Sequence, residues 1–128
     1  MTDIHAIGAR YAEAWTSHAP DAVASFYEPG GRITINDGEP LVGRSEIANL
    51  ARGFYLAFPD LVVHMDDVRT AGDHAIFVWT LEGTHGETGN VVRIGGWEEW
   101  LLSADLLVRE SRGRYDAAEY ERQVANGR

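Results

Sequence analysis

The stretch that decides the fold begins Phe58-Pro59-Asp60-Leu61-Val62-Val63-His64-Met65 and closes with Gly83-Thr84-His85-Gly86-Glu87-Thr88-Gly89. A helical pattern stops at Phe58, because the residue before a proline is pushed towards extended geometry. Leu61 to Arg69 then reads as a strand, Gly72-Asp73 as a turn, and the following run through Trp79 as a second strand. Helix, turn and paired strands in this order place the centre of the chain in a sheet built from hairpins.

Working outward, Ile4, Ile7, Tyr11, Ala14, Trp15 and His18 recur at spacings of three and four and predict a helix over 4–18. Thr2 or Asp3 is placed to cap it. Pro20-Asp21 opens a short second helix to about Tyr27, and Glu28-Pro29-Gly30-Gly31 reads as a breaker. Arg32 to Asp37 alternates as a strand. A third helix is expected from about Ser45, as its cap, to Phe58, with Ile47, Leu50, Ala51, Phe54 and Phe58 on one stripe. Four strands follow at about 61–70, 74–84, 90–102 and 106–115, and their short connections predict antiparallel neighbours. Asp116 begins a last helical turn or two, with Glu119 three residues on as in a capping box, and the chain is expected to fray from Ala125. The segregation of elements predicts one α+β domain over residues 1–128, with helices packed on one face of a bent antiparallel sheet.

An antiparallel sheet with one face in water alternates clearly between polar and apolar. The strands at 74–84 and 94–102 do not. Phe77, Trp79 and Leu81 share one face, Ile76 and Val78 the other, and Trp97 and Trp100 have opposite parity. Both faces are therefore expected to be covered, one by helices and a cavity, the other by a second copy of the chain. A homodimer through the outer sheet face follows as the expectation.

Bulk composition narrows the function. The 128 residues are 45% hydrophobic, with 4 Trp, 5 Tyr and 4 Phe, enough to fill one core. A net charge of −9 from 11 basic and 20 acidic residues argues against nucleic acid, whose phosphates need a basic face, and against anionic membranes. It also disfavours an anionic ligand. Without cysteine there are no disulfides, thiolate metal sites or thiol nucleophiles. No run approaches the roughly 20 apolar residues needed to span a bilayer, and the N-terminus lacks a signal-peptide pattern, so a cytoplasmic location is expected.

The motif string Phe-Pro-Asp, Gly-Asp, Trp79, then Gly-Thr-His-x-x-Thr-Gly spread over 58–89 resembles the SnoaL-like polyketide cyclases, within the nuclear transport factor 2-like superfamily that also holds the ketosteroid isomerases. The resemblance implies a cone-shaped, bent antiparallel sheet packed against three N-terminal helices and enclosing a pocket for a small molecule. Cyclases of this kind commonly carry a His-Trp-Asp run on the last strand; this chain has Ser111 and Gly113 at the histidine and aspartate positions. The limonene epoxide hydrolases, another branch, need charges where Trp79-Thr80-Leu81 stands. Neither mechanism is implied by the residues present.

Adjacent Glu98 and Glu99 are the sharpest chemical signal. Side chains alternate across a strand, so one of the two points into the concave side whatever the register. Trp97, Trp100, Leu101 and Leu102 make that side apolar, and a carboxylate there is desolvated and poised as a general acid or base, unless Arg109 or Arg112 on the next strand neutralises it. The sequence leaves the parity open, with Glu99 favoured. His85, at a strand end, is a candidate proton shuttle, although a loop histidine more often caps a turn. Asn36 ends the first strand beside Asp37 and is, with His85 or a tyrosine, a candidate to bind the ligand and stabilise its developing negative charge; the resemblance would pair Asp37 with Glu98, whereas Asp37-Gly38 by itself reads as a turn. His64 and Asp66 could pair across one face, a weak metal signal without a third ligand. Tyr11, Trp15, Tyr27, Phe54, Tyr55, Trp79 and Trp97 are the expected pocket walls. The function these residues point to is a pocket for a small hydrophobic, carbonyl-containing molecule. It would act either as an isomerase, lyase or cyclase that needs no cofactor and no metal, or as a non-catalytic binding domain.

Overall fold

The computed structural model describes residues 3–127. Helix α1 (Ile4–Thr16) leads into α2 (Pro20–Ala24), β1 (Tyr27–Ile35), the two-residue β2 (Leu41–Val42) and α3 (Arg44–Ala57). Strands β3 (Val62–Ala71), β4 (His74–Thr84), β5 (Val91–Leu102) and β6 (Val108–Tyr115) follow, and α4 (Ala117–Asn126) ends the chain. This is the expected α+β architecture, with α1 laid against β3 and α3 against β1.

The six strands form one sheet in the order β2-β1-β6-β5-β4-β3. One pairing departs from the expected antiparallel sheet: β1 runs parallel to β6, with Ile33 opposite Ser111 and Ile35 opposite Gly113. The long excursion through α3 and three hairpin-linked strands brings the chain back beside its first strand in the same direction. β1 also starts earlier than expected. Glu28-Pro29-Gly30-Gly31 lies inside the strand as an irregularity, between the Tyr27–Val108 and Arg32–Glu110 pairs. Further register shifts fall between Met65 and Asp67 and between Leu101 and Leu102. Such irregularities bend a sheet, and here they curl it around its own inner face.

The helix ends refine the expectations. Asp3 caps α1 by accepting from the His5 N–H, 3.0 Å, while Thr2 lies outside the described residues. Ser45 is not the cap of α3. That position falls to Gly43, whose φ of 92° suits glycine, and the Glu46 carboxylate takes the Val42 N–H at 2.6 Å. Asp116 caps α4 by accepting from the Glu119 N–H, and this helix reaches Asn126, past Ala125 where fraying was expected to begin.

The core lies between helices and sheet. Tyr11 is at its centre, with Phe77 and Trp100 each edge-on at 5.2 Å and Phe26 edge-on at 5.4 Å. Phe77 and Trp100 stack on one another across β4 and β5.

Candidate functional site

Alternation along β5 is clean. Val92, Ile94, Glu98, Trp100 and Leu102 are buried, while Val91, Arg93, Gly95, Trp97 and Glu99 are exposed. Glu98 is therefore the inward glutamate and Glu99 lies on the outer face, which corrects the lean towards Glu99. Trp97 is corrected with it: 46% exposed on the outer face, it is no pocket wall.

The Glu98 carboxylate is 7% exposed and is surrounded by uncharged donors. Its Oε1 accepts from Ser111 Oγ at 2.7 Å, Trp100 Nε1 at 3.0 Å, Tyr11 Oη at 3.1 Å and Tyr27 Oη at 3.2 Å. Its Oε2 has only the Tyr11 hydroxyl, at 3.2 Å. The two tyrosine hydroxyls also meet each other at 2.9 Å. The arginines that might have neutralised this group are elsewhere: Arg109 sits 3.5 Å from Glu28 and Arg112 3.7 Å from Glu110. Among the described residues no cation pairs with Glu98.

Two opposing effects set its protonation. Burial raises the Glu98 carboxyl above the ordinary carboxylate range, since a desolvated charge is penalised. The hydrogen bonds from Trp100, Ser111, Tyr11 and Tyr27 favour the charged form and offset part of that rise. Burial, followed by the charge of Glu98, holds both Tyr11 and Tyr27 well above the usual phenol range, so they remain donors.

Glu98 forms part of the wall of a cavity of about 60 Å³ inside the cone. Trp15, Phe54, Phe77, Trp79, Tyr115 and Tyr120 supply aromatic rings, and aliphatic side chains from β1, α3 and β3–β5 complete the lining. Gly113, opposite Glu98 in the β5–β6 register, adds no side chain to that wall. Trp79 owes its position to another glycine across the ladder: a Cβ on Gly96 would stand 2.5 Å from the indole Cζ2. The indole lies in the space that any other residue at 96 would fill. Arg114 borders the cavity too, but its guanidinium is tied to Asp37 at 2.7 Å.

Of the expected walls, Trp15, Phe54 and Trp79 line the cavity. Tyr11 and Tyr27 stand behind it and reach Glu98. Tyr55 is not in the lining; it stacks on His18 at 4.4 Å, and burial pushes its hydroxyl up to about 12. His85 closes the β4–β5 hairpin: its Nδ1 accepts the Thr88 N–H at 3.2 Å, and its ring meets Phe58 edge-on, so it is the turn cap and is absent from the cavity. Asn36 is likewise in a turn, at φ 50°, where its Oδ1 accepts the Tyr115 N–H. Asp37 is exposed and does not pair with Glu98. His64 and Asp66 do not meet either; His64 binds Glu82 at 2.9 Å and Asp66 accepts from Thr80 at 2.6 Å.

Sequence reasoning missed Ser111 and Trp100 as partners of Glu98, and Tyr115 and Tyr120 as lining. Ser111 carried a usable signal, a lone hydroxyl on the buried parity of the strand beside Glu98. Tyr120 carried none, because nothing local says where α4 docks.

Solved structures repeat this architecture at low sequence identity. A protein with a ketosteroid isomerase-like fold from Catenulispora acidiphila, in complex with trimethylamine, superposes with a TM-score of 0.83 at 16% identity, covering 91% of this chain and 89% of that one. TsrD from Streptomyces laurentii gives 0.83 at 19% identity over 97% and 98%. An NTF2-like protein from Exiguobacterium sp. gives 0.72 at 18% over 84% and 95%. No curated protein matches the sequence. No helix among the described residues is long and apolar enough to cross a membrane. Residues 9–110 match the model of the SnoaL-like domain, most of the chain, and on that match the protein belongs to the SnoaL-like domain family.

Proposed function

We propose that the cone receives a small hydrophobic, carbonyl-containing molecule and that Glu98 exchanges a proton with it, as in an isomerase, lyase or cyclase without a cofactor. The observation that carries this reading is a buried carboxyl facing an apolar cavity, held by uncharged donors alone and lifted towards neutrality by desolvation. A buried carboxyl whose pKa is raised by desolvation is suited to general acid–base work. In the ionised form it removes a proton from the carbon beside a carbonyl and becomes the acid. It then returns the proton to the same or a conjugated carbon, so the guest is rearranged with no net change in protons. Tyr115 and Tyr120, the tyrosines of the lining, are the groups suited to hold the carbonyl oxygen as it gains charge. They take the role that His85 and Asn36 were expected to fill. The guest is compact, in keeping with a cavity of about 60 Å³ and with the trimethylamine held by the Catenulispora protein of the same fold.

The test is exchange. Small cyclic and aromatic ketones incubated with the protein in D2O are followed by NMR, and deuterium entering beside the carbonyl at a rate that Glu98→Gln abolishes is the expected result. A ketone that binds and exchanges no faster than in buffer overturns the proton-transfer role. That result favours the second reading, a binding or accessory domain. The crowding of four donors on Glu98 is the observation behind it, since such a network also serves to order a core.

For assembly, we propose a homodimer across the outer sheet face. Trp97 and Ile76 are exposed there, at 46% and 43%. Around them Glu99 stands opposite Arg112 in the β5–β6 register, with Glu110 and Arg114 alongside. Mixed acids and arginines on one face complement a second copy of themselves under two-fold symmetry. A sedimentation mass of one chain at micromolar concentration overturns this.

A further inference from the structure

We infer that the cone is also a receptor for a small organic ammonium ion, with the Glu98 carboxylate as its counter-charge and the ring faces of the cavity as its cage. The inference rests on the reading of the cone as a ligand pocket and adds the charge class of the guest. Three observations converge on it.

The first is the missing cation. Glu98 is the one carboxylate in the lining, and its partners Ser111, Trp100, Tyr11 and Tyr27 are all neutral. The nearest arginine of the lining, Arg114, is neutralised by Asp37 on the other side of the sheet. Glu98 Oε1 accepts from four donors and Oε2 from the Tyr11 hydroxyl alone, at 3.2 Å, so Oε2 is the less satisfied oxygen. A buried carboxylate gains most from a partner that brings a positive charge into the same dry space.

The second is the wall. Six of the lining residues are aromatic, and pairs of them stand at steep angles: Trp15 and Phe54 at 78°, Tyr115 and Tyr120 at 69°, Trp79 and Tyr115 at 57°. Aromatic rings on several sides of one space are the kind of wall that recognises alkylammonium groups. Methyl groups on the nitrogen satisfy the apolar surface that an inorganic cation leaves dry and unpaired.

The third is the field. A net charge of −9 concentrates cations near the protein and repels anions. The ketone and the ammonium ion differ in what they ask of Glu98. A ketone is deprotonated by the ionised form and reprotonated by the acid form, whereas an ammonium ion pairs with the ionised form alone.

Choline and 3,3-dimethylbutan-1-ol have the same shape and differ in charge, so they form the test. Each is titrated into the unaltered protein and followed by calorimetry and by the indole N–H signals of its tryptophans. Choline is expected to bind at least tenfold more tightly than the alcohol, with affinity rising as pH rises through the titration of Glu98, and to shift the Trp15 and Trp79 signals. Glu98→Gln should remove both the advantage and the pH dependence. Equal affinity for the two probes overturns the ammonium inference and leaves the ligand pocket standing. Binding of neither probe, nor of any small ketone, overturns the pocket and the inference together. Choline that shifts Trp97 alone has bound the outer face, and that too overturns the inference. The wild-type comparison needs no variant, so a Glu98→Gln chain that fails to fold does not blunt it.

Discussion

Glu98 and Glu99 share a strand, a charge and a neighbourhood of tryptophans, yet they lie on opposite sides of the sheet. Glu98 is enclosed among four neutral donors beside a cavity; Glu99 is in water, opposite Arg112. The inner side of β5 is held by packing and hydrogen bonds that have no alternative partner. The outer side is held by ion pairs that solvent competes for. Identical side chains on the two faces therefore answer to different physics, and the sharpest experiments are those that treat the faces alike.

Glu98→Ala against Glu99→Ala is the largest contrast. Removing the inner carboxylate strands the Ser111, Trp100, Tyr11 and Tyr27 donors and leaves a void, at a cost of about 3 kcal/mol or more. Glu99→Ala should fall within the small scatter of surface changes. Urea denaturation of the two variants measures the difference, and equal midpoints would remove the distinction between the faces.

The glycine pair Gly95 and Gly96 gives the next contrast. A Cβ at 96 runs into the Arg114 backbone carbonyl and the Trp79 ring, 2.5 Å from Cζ2, whereas a Cβ at 95 makes an ordinary contact at 3.6 Å with the Trp79 carbonyl. Gly96→Ala should cost about 1–3 kcal/mol as an overpacked site and shift the Trp79 fluorescence. Gly95→Ala should leave both nearly untouched.

How much of this contrast was legible in the sequence depends on the range of the forces involved. Helix and strand order followed from periodicity, because the burial that fixes each element repeats within its own few residues. The β1–β6 parallel pair was not legible: hairpin logic joins sequence neighbours, and nothing within β1 announces a partner some eighty residues away. Pro29 and the glycines around it signalled a break, since a breaker and an irregular strand share one composition. The parity of β5 was within reach. Counting from Val92 and Ile94, with Arg93 between them, places Glu98 inside; counting from Trp97 misleads, because that tryptophan faces outward. The SnoaL-like motifs identified the fold, whereas the assembly of Glu98 with its four donors depends on three strands and a helix meeting.

Acid titration turns the two faces against each other. Burial raises the folded-state pKa of Glu98 above its unfolded value. Its contribution is therefore fully present below the unfolded carboxylate range and is lost as pH rises through the folded pKa. Glu82, on the outer face, is lowered by its hydrogen bond to His64 and by the charge of Arg93. It contributes above the unfolded value, and that contribution is lost as pH falls through the lowered pKa. Relative to the wild type, Glu98→Gln should thus become less damaging as pH rises from 4.5 upward, and Glu82→Gln less damaging as pH falls. Slopes of the same sign would mean that Glu98 is solvated.

The smallest expected effect on the isolated chain is that of Trp97→Ser. An indole in contact with water on one side packs few atoms, so its loss should move the unfolding midpoint of a dilute sample by no more than about 0.5 kcal/mol. Concentration separates the two states of the outer face. If a second copy covers Trp97, wild-type stability rises with protein concentration by mass action, and the serine variant loses that rise together with the dimer mass in sedimentation. If the face meets only water, both proteins unfold at the same point at every concentration. The contrast between the faces would then be one of enclosure against solvent. In the first case both sides of β5 are buried when the protein is assembled, and the difference between Glu98 and Glu99 becomes one of partners: neutral donors within the cone, a second copy on the outer face.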